Sequence, residues 1–291
     1  MTNYLALRRG LATFLLFGVS FGVSAEPLGA ADCVGLEGNA LQGDALQGGL
    51  LWGRVAPGSG VTWNDRSVTV LPDGSFVVGV GRDAPSLGLL SIDGEAPCQA
   101  SIEIGQRNYR IQRVEGVPQQ TVTPPEEVLE RIARERELVR QAKSQRLQRP
   151  DLLAAVRAGL RWPVTGRISG MYGSQRVYNG TPGSPHYGVD VARPTGHPVV
   201  APGPGIITLA EPDLFYSGGT VILDHGYGLS SSFLHLSEVS VAVGEEVSAG
   251  ALIGKVGATG RATGPHLDWR MSWLDQRIDP QLLVPPMPAD Q

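Results

Sequence analysis

Three short pieces of this chain hold most of the groups able to bind a metal or move a proton. They are His186-Tyr-Gly-Val-Asp190, Phe233-Leu-His235-Leu236 and Gly264-Pro-His266-Leu-Asp268. His186 and Asp190 are four apart, with Pro185 before them and Gly188 between. That composition disfavours a helix and predicts an extended segment. In an extended segment an even spacing puts side chains on one face, which pairs His186 with Asp190 and His266 with Asp268. Two strands therefore offer imidazole and carboxylate groups in pairs, a donor set suited to a catalytic zinc.

The elements that must position these groups read as strands. From Arg161 to about Val284, short apolar runs such as 205–210, 220–224, 229–236, 252–256 and 266–271 alternate with Gly-rich turns. Residues 26–116 read as a smaller, β-sandwich-like domain, with runs at 50–55, 67–70, 76–80, 87–92 and 101–104 separated by Pro-Gly, Asn-Asp and Pro-Asp-Gly signals. This first domain contains no His, so binding, regulation or positioning is its expected role. Residues 117–160 change character. Thr123-Pro-Pro-Glu126 reads as a capping-box start, and Val128, Leu129, Ile132, Val139 and Ala142 form a narrow apolar stripe on a polar helix. A helical linker lying against one domain is expected, interrupted at Pro150 and followed by a short second helix over 151–160. Residues 285–291 read as a flexible tail. The fold class expected is mainly β: a sandwich-like first domain, a helical linker, and an antiparallel β domain with an open, metal-bearing groove.

Residues 1–25 read as an export signal, with Arg8-Arg9, an apolar stretch from Leu11 to Val23 and a small-residue cleavage site at Val23-Ser24-Ala25. The apolar run is short for a membrane span, so no stable membrane anchor is expected after cleavage. An exported, periplasmic protein follows, with secretion as the alternative. In such a compartment Cys33 and Cys98 are expected to pair, stabilising the fold by roughly 4 kcal/mol in the chain-entropy picture. Two separate buried thiols are the alternative. The last third has no Cys, which excludes a thiolate zinc site there. A formal net charge of −4 and the absence of a basic patch in the last third argue against nucleic acid as a partner.

The ordered series of motifs resembles the lysostaphin/LytM-type zinc endopeptidases, which cut peptide bonds of bacterial peptidoglycan. It runs from Gly166-Arg-Ile-Ser-Gly170 through His186-x-x-x-Asp190, Val221-Ile-Leu-Asp-His225-Gly226, His235-Leu-Ser237 and Val247-Ser-Ala-Gly-Ala-Leu-Ile-Gly254 to Gly257-Ala-Thr-Gly260 and Gly264-Pro-His266. The resemblance covers residues 161–284; residues 26–160 resemble the amino-terminal portion of some exported members. It implies one Zn2+ per chain, with Mn2+ as the alternative ion, and His186 and Asp190 as the first two ligands. It also implies His235 and His266 as the catalytic histidines that orient and deprotonate the attacking water and steady the tetrahedral intermediate. Peptidoglycan is the partner implied, with other wall hydrolases or their regulators as further candidates.

One position departs from the family pattern. Where the pattern ends in His-x-His and the second His is the third ligand, this chain has His266-Leu-Asp268. Three readings stay open. Asp268 completes a His-Asp-Asp site; or it supports a metal it does not touch; or the domain is catalytically impaired and binds wall or activates a partner hydrolase. If both carboxylates ligate, they neutralise the dication, which predicts a weaker Lewis acid, a higher pH optimum or more tolerance for Mn2+. Among neighbouring residues, His225 reads as a turn hydrogen-bonder, His197 as an exposed loop residue, and Trp269 and Trp273 as packing groups. Arg270 reads as a solvated charge, with pairing to an acidic neighbour as the alternative. Tyr178 and Asn179 either line a substrate groove or are ordinary turn residues.

Overall fold

The structure is a computed structural model that describes Cys33 and residues 40–94, 97–115 and 126–288. The export signal at 1–25 and the capping residues Thr123–Pro125 lie outside them. The described chain is mostly strand, and no helix among these residues is long and apolar enough to cross a membrane.

The first domain is built from two small antiparallel sheets, in keeping with the expected sandwich. Ala40–Gly43, Leu50–Arg54 and Ser75–Gly79 form one; Arg66–Val68, Gly60–Trp63, Leu87–Asp93 and Cys98–Glu103 form the other, in that spatial order. Alternating strands such as Leu87–Asp93 bury Gly88, Leu90 and Ile92 between the sheets, the period expected of a half-covered strand. Cys33 and Cys98 are joined by a disulfide, as their count and the inferred compartment predicted.

The second domain is built on one large sheet, with a small sheet of Pro198–Val200, Leu252–Lys255 and Glu238–Val239 beside it. The strands of the large sheet run in the order Glu246–Val247, Gly205–Leu214, Gly218–Asp224, Leu229–Leu236, His266–Trp273, Val189–Ala192 and Arg167–Gly170, and Gln276–Ile278 pairs on the far end of His266–Trp273. All its pairings are antiparallel. The two central strands, Gly218–Asp224 and Leu229–Leu236, are buried at every residue, so both of their faces are covered.

One cover is the linker. The first helix, α1 (Leu129–Ser144), packs Val139 and Ala142 on Leu209, Leu214 and Ile222. Ile132 is buried too, but Leu129, expected on the same stripe, is exposed. Glu135 accepts from Phe215 N at 2.8 Å, and Arg131 donates to Asp213. The second helix, α2 (Pro150–Ala158), starts with Pro150 in its first turn and buries Leu152, Leu153 and Val156.

Two boundaries differ from the sequence expectation. Ile111–Val114 does not belong to the first domain's sheets; it pairs in parallel with Gln175–Tyr178 of the second domain. Apolar residues of both domains form one continuous core, and at Gly79 an added Cβ would come within 2.7 Å of Ile278 and 2.9 Å of Trp273. Nor is the start of the tail loose: Trp162 Nε1 donates to the Pro285 carbonyl at 2.8 Å, and Met287 packs on the core.

Candidate metal centre and active site

Strand alternation builds the site. Along His266–Trp273, Leu267, Trp269, Met271 and Trp273 point into the core and are at most 2% exposed, so both tryptophans pack as expected. His266, Asp268, Arg270 and Ser272 take the other face. Antiparallel register sets Asp190 directly opposite Asp268 and Ala192 opposite His266. Directly opposed side chains on one face lie about 5 Å apart, and two carboxylates so placed repel. This pairing calls for a cation.

Two glycines leave the room these carboxylates fill. A Cβ on Gly170 would fall 2.1 Å from Asp190 Oδ2, and one on Gly188 would fall 2.5 Å from Asp268 Oδ1. A methyl at either place would force the carboxylate aside.

His186 lies just outside the strand, on a turn fixed from the first domain. Its backbone N donates to the Ser174 carbonyl, and its carbonyl accepts from Gly173 N, both at 2.8 Å. The Gly173 carbonyl in turn accepts from Arg82 Nε at 2.9 Å and Nη2 at 2.8 Å. Arg82 also lies over the Tyr109 ring, which meets Tyr172 edge to face. The first domain therefore helps hold the backbone that aims His186, a role no local motif announces.

His186, Asp190 and Asp268 each offer one ligand atom, and these atoms all lie within 4.8 Å of one another. His186 Nε2 stands 3.1 Å from Asp190 Oδ1. Both atoms are buried, yet neither has a hydrogen-bond partner. Buried polar atoms are almost always satisfied, so two orphans converging on one point mark a place for something to bind between them. Burial pulls the His186 imidazole down, but the Asp190 and Asp268 carboxylates outweigh it and hold the group above its ordinary value. The site thus favours positive charge. Orphaned atoms, opposed carboxylates and a nitrogen–oxygen donor set all fit a divalent cation such as zinc.

His235 and His266 stand beside this cluster with ring centroids 4.9 Å apart. His235 has a φ of 65°, a left-handed conformation rare outside glycine, at the point where the Leu229–Leu236 strand leaves register. That conformation breaks the alternation that would otherwise send the ring away from His266. Its Nδ1 lies 2.9 Å from the Thr259 carbonyl, and His266 Nδ1 lies 2.7 Å from the Gly264 carbonyl. A carbonyl only accepts, so in each neutral ring Nδ1 carries the hydrogen and Nε2 keeps its lone pair. Burial holds the His235 imidazole below its ordinary value, which keeps it a free base near neutral pH. His266 Nε2 lies 3.9 Å from Asp190 Oδ1. Solvent reaches the cluster, with His186 20% and Asp190 22% exposed at their side chains.

Arg270 is the residue that sequence reasoning misjudged. It is not a solvated charge: its Nε donates to both Asp268 oxygens at 3.0 Å and its Nη2 to Oδ2 at 2.6 Å. Burial pushes the Asp268 carboxyl up, but Arg270 more than offsets this and holds it below the ordinary range. The signal was in the sequence, since Asp268-x-Arg270 on a strand puts both on one face.

The remaining residues fall where their types suggested, with one difference. His225 is fully buried, with Nδ1 2.7 Å from the Pro204 carbonyl and Nε2 2.9 Å from Ser231 Oγ. His197 is half-buried rather than exposed; its backbone N donates to the Pro194 carbonyl. Asn179 has a φ of 48° at the turn between Gln175–Tyr178 and Thr181–Pro182, the positions of a tight hairpin.

A large antiparallel sheet thus sets a His-Asp-Asp cluster, able to hold a divalent cation, beside two anchored imidazoles. Residues 184–280 match the family model of Peptidase family M23. The peptidoglycan DD-endopeptidase ShyA of Vibrio cholerae is 39% identical over 118 residues, covering 40% of this chain and 27% of that protein. The DD-carboxypeptidase/endopeptidase Mpg of Neisseria meningitidis is 40% identical over 103 residues, 35% of this chain and 24% of that one. The chain thus spans about a quarter of the length of these curated relatives. Similarity to a crystal structure of an M23 peptidase from Pseudomonas aeruginosa extends over both domains. It covers 82% of this chain and 94% of that one, with a TM-score of 0.61 and 29% identity.

Proposed function

We propose that this protein is a zinc-dependent endopeptidase that hydrolyses peptide cross-links of bacterial peptidoglycan after export. The observation that carries this reading is the convergence of His186 Nε2 and Asp190 Oδ1, both orphaned, on the Asp268 carboxylate beside two anchored imidazoles. The M23 match and relatives named as peptidoglycan endopeptidases support the substrate class. In this reading His186, Asp190 and Asp268 hold the metal, and His235 and His266 are the catalytic histidines.

Zinc bound there supplies Lewis acidity, polarising a carbonyl oxygen and making a water more acidic. The chain's own groups do the rest. His235, neutral and with its Nε2 lone pair free, takes the proton from the attacking water and passes it to the leaving amine as the peptide C–N bond breaks. His266, held by the Gly264 carbonyl, donates from Nε2 once protonated and steadies negative charge developing on the substrate oxygen. Arg82, through Gly173, keeps His186 in place. The substrate places the protein in the periplasm or outside the cell, with residues 1–25 as the export signal.

Incubating purified sacculi with the protein tests this, with and without chelator and with zinc or Mn2+ restored afterwards. Release of stem-peptide fragments that stops on chelation and returns with metal is the expected result. Intact sacculi under every metal condition, with protein that binds wall or stimulates another hydrolase, would establish the adaptor reading instead.

A further inference from the structure

We propose that Arg270 is a positioning residue for the metal centre. It cancels the charge of Asp268 and turns one carboxylate oxygen to the cation, so that the pair acts as a single net-neutral ligand. This rests on the reading of His186, Asp190 and Asp268 as ligands. The guanidinium fork is rigid and always charged. Its bonds to Asp268 are uneven: Oδ2 takes two, Oδ1 one. Oδ1 is the oxygen that a Cβ on Gly188, within the His186–Asp190 segment, would meet at 2.5 Å, and it keeps lone-pair capacity there.

The surrounding charges bind Arg270 to this role. The carboxylates that hold its positive charge are Asp268 and, less strongly, Asp190. Lys143 and Arg277 stand near it as well, burial pushing the Lys143 ammonium well below its ordinary value; Lys143 reaches the same strand face through Ser272 Oγ at 3.2 Å. With Asp268 compensated, one full carboxylate charge, that of Asp190, faces the dication. The expectation of a weak Lewis acid neutralised by two carboxylates therefore gives way to a centre with a net positive charge, as one aspartate among neutral ligands would leave it. It follows that a histidine at 268 does not improve the site while Arg270 remains, because the guanidinium then faces the dication unpaired.

The test is zinc affinity of the full chain, measured by competition with a chromophoric chelator, together with the visible spectrum of the cobalt-substituted protein. Asp268→His is expected to weaken zinc binding by at least about tenfold, and Asp268→His with Arg270→Met to restore it to within about threefold of the parent. Arg270→Gln alone is expected to tighten zinc about tenfold or more and to shift the cobalt bands, since a second full carboxylate charge then meets the metal. Thermal melts establish that each variant folds, and Arg270→Gln carries the test if Asp268→His does not. Asp268→His binding as well as the double variant, or Arg270→Gln leaving affinity and spectrum unchanged, overturns the proposal. A parent protein that binds no zinc overturns the metal centre itself, and this inference with it, a result separate from the variant outcomes.

Discussion

The sheet of the second domain holds two buried clusters of acid and imidazole, and they have opposite fates. At the turn after Gly218–Asp224, Asp224 Oδ1 accepts from Gly226 N at 2.6 Å, and both His225 nitrogens are engaged. Each of these polar groups is bonded within the fold, to Gly226, Pro204 or Ser231. At the other cluster His186 Nε2 and Asp190 Oδ1 face each other without partners, and two carboxylates stand opposite in register. Residue types are alike, and burial is deeper at His225 than at the site. What separates structure from function here is satisfaction: a complete hydrogen-bond set fixes a turn, and an incomplete one leaves valence for a ligand.

The contrast can be broken most directly at the paired histidines. His235→Gln is expected to lower turnover on sacculi by about 10²–10⁴-fold while zinc content holds, the loss typical of a missing general base. His225→Gln is expected to keep turnover within a few-fold below its melting temperature. Loss of turnover in folded His225→Gln would erase the distinction.

The next largest effect is pH-dependent stability. Burial holds His225 down at about 4, below its ordinary 6.5, so its contribution is full above pH 6.5 and is lost as pH falls through 4. That contribution is on the order of 3 kcal/mol. Asp224, pushed up to about 6 by burial, works with the opposite sign: its contribution is full below 3.8 and lost as pH rises through 6. The stability difference between the parent and His225→Gln, followed by chemical unfolding from pH 7.5 to 4, isolates the histidine. It should shrink as the pH falls; a constant difference would mean that His225 does not stay neutral in the fold.

Two smaller changes sharpen the site side. Gly188→Ala places a methyl against Asp268 Oδ1 and the Trp269 carbonyl, and about 1–3 kcal/mol of overpacking is expected, read as weaker zinc binding. Arg82→Met removes two donors to the Gly173 carbonyl. An effect of about 1 kcal/mol on the His186 turn should appear as a several-fold weaker zinc affinity, with the melting temperature also lowered. Unchanged affinity would confine Arg82 to joining the domains.

Much of this was legible in the chain. Even spacing placed His266 with Asp268, and Gly and Pro around His186 kept that segment out of a helix. What stayed hidden is non-local. The register that opposes Asp190 to Asp268 depends on how two distant strands pair. His235 is held by distant partners, its backbone N on the Ser217 carbonyl and its ring on the Thr259 carbonyl, and the Arg82 grip on Gly173 crosses the domain seam. Arg270 was misjudged for a different reason: charged side chains are usually solvated, and the same-face spacing with Asp268 outweighs that habit only once Asp268 itself is known to be buried.

The central claim is that His186, Asp190 and Asp268 together hold one metal ion. Equilibrium dialysis against buffered zinc, comparing the parent with Asp190→Ala and His225→Gln, tests it most directly. The account predicts one zinc per chain in the parent and in His225→Gln, and none retained by Asp190→Ala at the same free zinc. Full zinc in Asp190→Ala, or none in the parent, would contradict it.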